Sequence, residues 1–118
     1  MGWAEQNVAE SGGSLTVSHD IQSAYAGADV VYAKSWGALP FFGNWAPEKP
    51  IRDQYQHFIV DEAKMALTNN GVFSHCLPLR RNVKATDAVM DSPQCIAIDE
   101  AENRLHVQKA VMAALIGQ

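Results

Sequence analysis

Four groups of side chains in this sequence have types and spacings that can do chemistry. The densest is Leu79-Arg80-Arg81-Asn82-Val83-Lys84. It puts three of the nine basic residues within five positions of a chain whose formal net charge is −4. Guanidinium groups offer a bidentate fork to carboxylate or phosphate, so the cluster suits an anion. A solvated basic loop is the competing reading, because loops are normally polar surface. Just before it stands His75-Cys76. Successive strand residues point to opposite faces, so these two cannot act as a nucleophile–base pair on each other. On these residues alone a buried strand-end cysteine is the simpler reading. Two Cys and four His show no zinc-ligand spacing, so no metal is expected. The third group is Asp99-Glu100-Ala101-Glu102-Asn103-Arg104. Its acids suit a helix start, whereas Arg104 in a first turn would oppose the helix dipole unless it meets an acid or a bound anion. The fourth is Lys34 with Trp36. Lys34 either snorkels to solvent from a strand end or anchors a carboxylate, and the pattern leaves both open. Neither a G-x-G-x-x-G nor a G-x-x-x-x-G-K-[ST] segment is present, so no nucleotide cofactor is expected.

These groups need elements to position them. With 118 residues, 47% hydrophobic and 19% charged, the chain reads as one ordinary globular domain, which argues against disorder and low complexity. Its mild acidity argues against general nucleic-acid binding. The chain shows no apolar run near the roughly 18 residues of a membrane span. The opening MGWAEQNVAE lacks a basic start and an apolar stretch. With two cysteines and no disulfide framework, a cytoplasmic protein is expected.

The pattern alternates helix and strand. Helices are expected over Trp3–Glu10, Ile21–Ala26 (capped by Asp20), Ile51–Phe58, Asp61–Leu67 and Ala101–Ile116, with a helical turn at Ala85–Met90. Strands are expected over Ser14–Ser18, Asp29–Lys34, Val72–Cys76 and Cys95–Asp99. Asn69-Asn70-Gly71 reads as a turn. Ser35–Pro50, with three prolines, two glycines and four aromatic residues, reads as a long functional loop. The expected fold is α/β: a Rossmann-like parallel sheet of about four strands with flanking helices, and ligands beyond the strands' carboxyl ends. Ser35–Pro50, Leu77–Asp91 and the Asp99–Arg104 junction lie there.

The segments in order resemble a known family. Phe73-Ser74-His75-Cys76-Leu77-Pro78-Leu79-Arg80-Arg81 is similar to the H-C-L-P segment of the ornithine-type carbamoyltransferases. Asp99-Glu100-Ala101-Glu102-Asn103-Arg104 resembles their E-x-E-N-R segment. Ala28-Asp29-Val30-Val31-Tyr32 with Lys34-Ser35-Trp36-Gly37 resembles the strand and mobile substrate loop. The spelling of Lys34–Phe41 and Leu79–Asp87 resembles the N-acetylornithine or N-succinylornithine branch. The resemblance implies transfer of a carbamoyl group from carbamoyl phosphate to the side-chain amine of an ornithine derivative. It implies catalytic roles for Cys76 and Arg80, and substrate contacts from Lys34, Leu77, Arg104 and Trp36. It also implies a cis Leu77–Pro78 bond, and at Lys84 a lysine that can be carboxylated.

The family's S-T-R-T-R-type and H-P-x-Q-type segments, which belong to an amino-terminal domain, are absent. Residues 1–118 are therefore expected to be part of the amino-acid-binding domain, truncated relative to the family's second domain and inactive alone. The alternative is a stand-alone module that binds a small anion or amino acid, or serves oligomerisation. Lost strands leave a sheet edge, and the stripe Val107, Val111, Ala114, Leu115 lacks a cover. A homo-oligomer is therefore expected, with Ser14–Ser18 lying beside Asp29–Lys34.

Overall fold

The protein is described by a computed structural model over residues 2–34 and 38–116. The opening helix α1 (Gly2–Ser11) is exposed along almost its whole length. Asp20 caps α2 (Ile21–Tyr25), its carboxylate accepting from the Gln22 N–H at 3.1 Å. Gly27 closes that helix at φ +71°, a left-handed conformation that glycine takes without Cβ strain. Strand β1 (Val30–Tyr32) follows. Further on, Asp61 and Thr86 cap the short helices α4 (Glu62–Met65) and α5 (Asp87–Met90) through their side-chain oxygens, on either side of β2 (Val72–Ser74). Gly71 sits at the entry to β2, where a Cβ would come within 2.6 Å of the Ala28 carbonyl oxygen.

The two strands pair in parallel, Val30 to Val72, Val31 to Phe73 and Tyr32 to Ser74. Alternation gives the sheet two unlike faces. Val31, Ala33 and Phe73 face a core with Val60, Met65, Ala85 and Val89. Tyr32 and Ser74, and beyond them Lys34 and Cys76, lie on the other face. There Ser74 Oγ bonds the Glu100 carboxylate of the last helix, α6 (Ala97–Ile116).

The structure departs from several expectations. Ser14–Ser18 forms no strand and does not lie in the sheet; Leu15 and Val17 are exposed, and without a neighbour to accept its ladder bonds the β-branched pattern has nothing to pair with. Cys95–Asp99 is not a strand either. Cys95 makes one isolated bridge to Phe73, and from Ala97 the chain is already helical. The Asp99 and Glu100 carboxylates then fall in the first turn of α6, where they complement its dipole. The four-strand sheet is thus two strands among the described residues. Finally, the long loop contains a helix, α3 (Trp45–Asp53). Pro47 falls in its first turn, where the missing N–H costs nothing, and only Pro50 lies inside. The helix expected over Ile51–Phe58 is the end of α3 followed by a separate 3-10 turn, Gln56–Phe58.

The core is small and off-centre. The radius of gyration is 17.2 Å, against about 13 Å for a compact 100-residue domain. The reason is that α1 and the outer part of α6 extend without cover, with Val107, Val111 and Leu115 exposed.

Candidate functional site

The site begins with strand parity. Tyr32 pairs with Ser74, so two residues further on Lys34 and Cys76 emerge side by side from the carboxyl ends of parallel strands. Lys34 Nζ donates to Cys76 Sγ at 3.3 Å. A hydrogen bond from Tyr32 and then the Lys34 ammonium hold the Cys76 thiol below its ordinary value of 9.0. The same contact with Cys76 pushes the exposed Tyr32 phenol up to about 12.

His75 points the other way and is buried. Its Nδ1 accepts from the Leu77 N–H at 2.9 Å, and its Nε2 has no partner among the described residues. Burial, then repulsion from Lys34, lowers its pKa, which favours the neutral ring. His75 thereby braces the turn in which Leu77 takes φ +45° and the Leu77–Pro78 bond is cis, as the resemblance implies.

The basic cluster separates into two parts. Arg81 is bound to Asp87 at 2.9 Å and to Asp91 at 2.6 Å, so it ties the loop to α5. Arg80 instead lies over the ring of Trp45, its guanidinium carbon 5.0 Å from the centroid, and Arg52 sits at the same distance. Lys84 is buried; burial first, then the Arg52 and Arg80 charges, lower its pKa, with Glu48 opposing.

Arg104 is exposed and lies seven residues beyond the start of α6, not in its first turn. At that depth the helix dipole does not oppose a cation, because the field of the terminus is spent within the first turn. None of the contacts found among the described residues joins Arg104 to Lys34, Cys76 or Arg80. Trp36 lies outside the described residues.

The structure thus brings Lys34, Cys76 and Leu77 to one strand-end site, and Arg80 and Lys84 to a neighbouring one. Trp45 and Arg52 escaped the sequence reading, although their seven-residue spacing is two helical turns. A separate cleft of about 350 Å³, lined by Met65, Thr68, Val89 and Gln94 among others, includes none of the expected site residues. Among the described residues no group of three or more His, Cys, Asp and Glu could hold a metal ion. No helix there is long and apolar enough to cross a membrane.

Residues 1–115 match the family described as aspartate/ornithine carbamoyltransferase, Asp/Orn binding domain. The chain belongs to this carbamoyltransferase family. It is 92% identical over 118 residues to the N-acetylornithine carbamoyltransferase of Xanthomonas campestris pv. campestris, covering all of this chain and 35% of that one. The N-acetylornithine carbamoyltransferase of Xylella fastidiosa is 81% identical over 116 residues, 98% of this chain and 34% of that protein. The ornithine carbamoyltransferase of Pyrococcus horikoshii is 46% identical over 117 residues, 98% of this chain and 36% of that protein. Among solved structures, an acetylornithine transcarbamylase complexed with acetylcitrulline superposes with a TM-score of 0.90 at 92% identity, over 100% of this chain and 35% of that one. A mutant N-acetyl-L-ornithine transcarbamylase complexed with carbamyl phosphate and N-succinyl-L-norvaline gives 0.88 at 93%, over 98% of this chain and 35% of that one. The chain therefore spans about a third of the length of the carbamoyltransferases it matches.

Proposed function

We propose that the chain is the amino-acid-binding part of a carbamoyltransferase that carbamoylates the side-chain amine of an N-acylornithine, in arginine biosynthesis in the cytoplasm. The observation that carries this reading is the 3.3 Å contact between Lys34 Nζ and Cys76 Sγ. In a chain of this family, it stands at the carboxyl ends of parallel strands, where open α/β sheets take their ligands. The relatives' names and the acetylcitrulline in one of the similar structures support the choice of substrate.

In this reading the Lys34 ammonium takes the carboxylate of the amino acid. Cys76 and the Leu77 carbonyl flank the attacking amine and the carbamoyl carbon. Arg80 lies between the two substrates, Arg104 reaches carbamoyl phosphate, and Trp36 belongs to the closing loop. The amine's lone pair forms the new C–N bond, the C–O bond to phosphate breaks, phosphate leaves with the electron pair, and the amine gives up a proton. Little covalent work falls to the protein; positioning and charge stabilisation lower the barrier. Lys84 fits carboxylation because burial and its cationic neighbours favour the neutral amine that adds carbon dioxide, and the resulting anion sits among cations.

The two-stranded sheet is part of a wider Rossmann-like parallel sheet, and residues 1–118 are part of one domain of a larger subunit that self-associates. The isolated chain is inactive, because its sequence contains neither of the family's phosphate-binding segments. A product assay with carbamoyl phosphate and N-acetylornithine tests this: the isolated chain is expected to form no N-acetylcitrulline, and clear turnover would overturn the reading.

A further inference from the structure

Trp45 opens α3 and has no role in the site described so far. The guanidinium carbons of Arg52 and Arg80 each lie 5.0 Å from its ring centroid. Arg52 stands two helical turns beyond Trp45 on the same face of α3, whereas Arg80 comes from the loop after β2. Two like charges drawn to one ring repel each other, and the negative face of the indole offsets that repulsion for each. Neither arginine has an ion pair among the described residues, in contrast to Arg81 beside them. The buried Lys84 lies in the same field, and Glu48 on α3 is the acid that opposes it. The local balance is strongly cationic in a chain of net charge −4.

We infer that Trp45 is a positioning residue that holds Arg80 and Arg52 together as a paired-guanidinium receptor for an oxyanion, a carboxylate or a phosphate. Each guanidinium then offers its N–H fork to the anion while the indole attracts its charge. The inference rests on the proposed function, in which Arg80 lies between the two substrates. It adds Arg52 as a second donor and Trp45 as the group that sets both.

The test is proton–nitrogen NMR of the arginine Nε–H groups in the full chain, titrated separately with orthophosphate and with acetate. The Arg80 and Arg52 signals are expected upfield through the ring current, and both should move with at least one of the two anions; the tighter anion identifies the source. Trp45→Leu is expected to return both signals to ordinary positions and to weaken binding about fivefold. Trp45→Phe, which keeps an aromatic face, should retain upfield signals and bind within about twofold of the unaltered chain. Should Trp45→Leu unfold, Arg52→Gln decides: it should keep the Arg80 shift and weaken the anion. An unshifted Arg80 in the unaltered chain, no response to either anion, or equal affinity after Trp45→Leu or Arg52→Gln would overturn the inference. These signals do not depend on carbamoyl transfer, so clear turnover by the isolated chain with the arginine shifts intact overturns the functional reading alone.

Discussion

A lysine beside a thiol favours the thiolate, and at Cys76 the effect has a sign that can be checked. The folded thiol value lies below the ordinary 9.0, through the Tyr32 hydrogen bond first and the Lys34 ammonium second. The stability this contributes is therefore present above the unfolded value and is lost as pH falls through the folded one. Lys34→Met removes both the donor and the charge. Alkylation of Cys76 by iodoacetamide near neutral pH is then expected to slow about three- to tenfold, read by peptide mass spectrometry; an unchanged rate would contradict the pairing. In the residues alone Lys34 stays open and Cys76 reads as a buried strand-end cysteine, because the pairing of their strands is not a local property; the cis Leu77–Pro78 bond was legible through its motif. Arg104 was misplaced: the same acids mark a helix start whether it lies at Ala101 or at Ala97, where the structure puts it. Trp45 and Arg52 were missed because their partnership needs a helix that two prolines disguised as loop.

Elements in this chain were legible where local hydrogen bonds define them. Asp20, Asp61 and Thr86 are N-caps, and each accepts from a backbone N–H of the first turn. Thr86→Ala is expected to cost about 1 kcal/mol, measured by urea unfolding. Gly71→Ala should cost about 1–3 kcal/mol in the same assay, because the added Cβ meets the Ala28 carbonyl oxygen at 2.6 Å. Arg81 fastens its loop to α5. Bonds from Asn82 and then Arg81 hold the Asp87 carboxyl below its ordinary 3.8, and Arg81 does the same for Asp91. Their stabilisation is thus present above the unfolded value and is lost as pH falls through the lower folded values. Arg81→Ala is therefore expected to flatten the acid limb of a stability–pH curve, and an unchanged limb would show the bridges to be idle. Strands were less legible because a strand exists only with a neighbour. Ser14–Ser18 has the alternation but no ladder partner, and Cys95 closes a single bridge before helix formation takes over at Ala97.

On the scale of the whole molecule, length and composition concealed what the motifs disclosed. A part keeps the composition of the whole, so a chain matching about a third of its relatives still reads as an ordinary domain. The structure has a small core, an extended shape, and apolar side chains along α6 exposed to solvent at Leu105, Val107, Val111 and Leu115. Uncovered apolar surface of this kind favours association, so light scattering is expected to find the isolated chain larger than a monomer, and a monomer would contradict that. The proposed function requires that these 118 residues supply the amino-acid half of a carbamoyltransferase site. Its most direct test replaces the matching third of the Xanthomonas campestris enzyme with this chain and assays carbamoyl transfer to N-acetylornithine. The hybrid is predicted to form N-acetylcitrulline and to lose at least about 99% of that rate with Lys34→Ala, the loss expected when a charged substrate anchor is removed. A folded hybrid that forms no product, or one indifferent to Lys34, would contradict the claim.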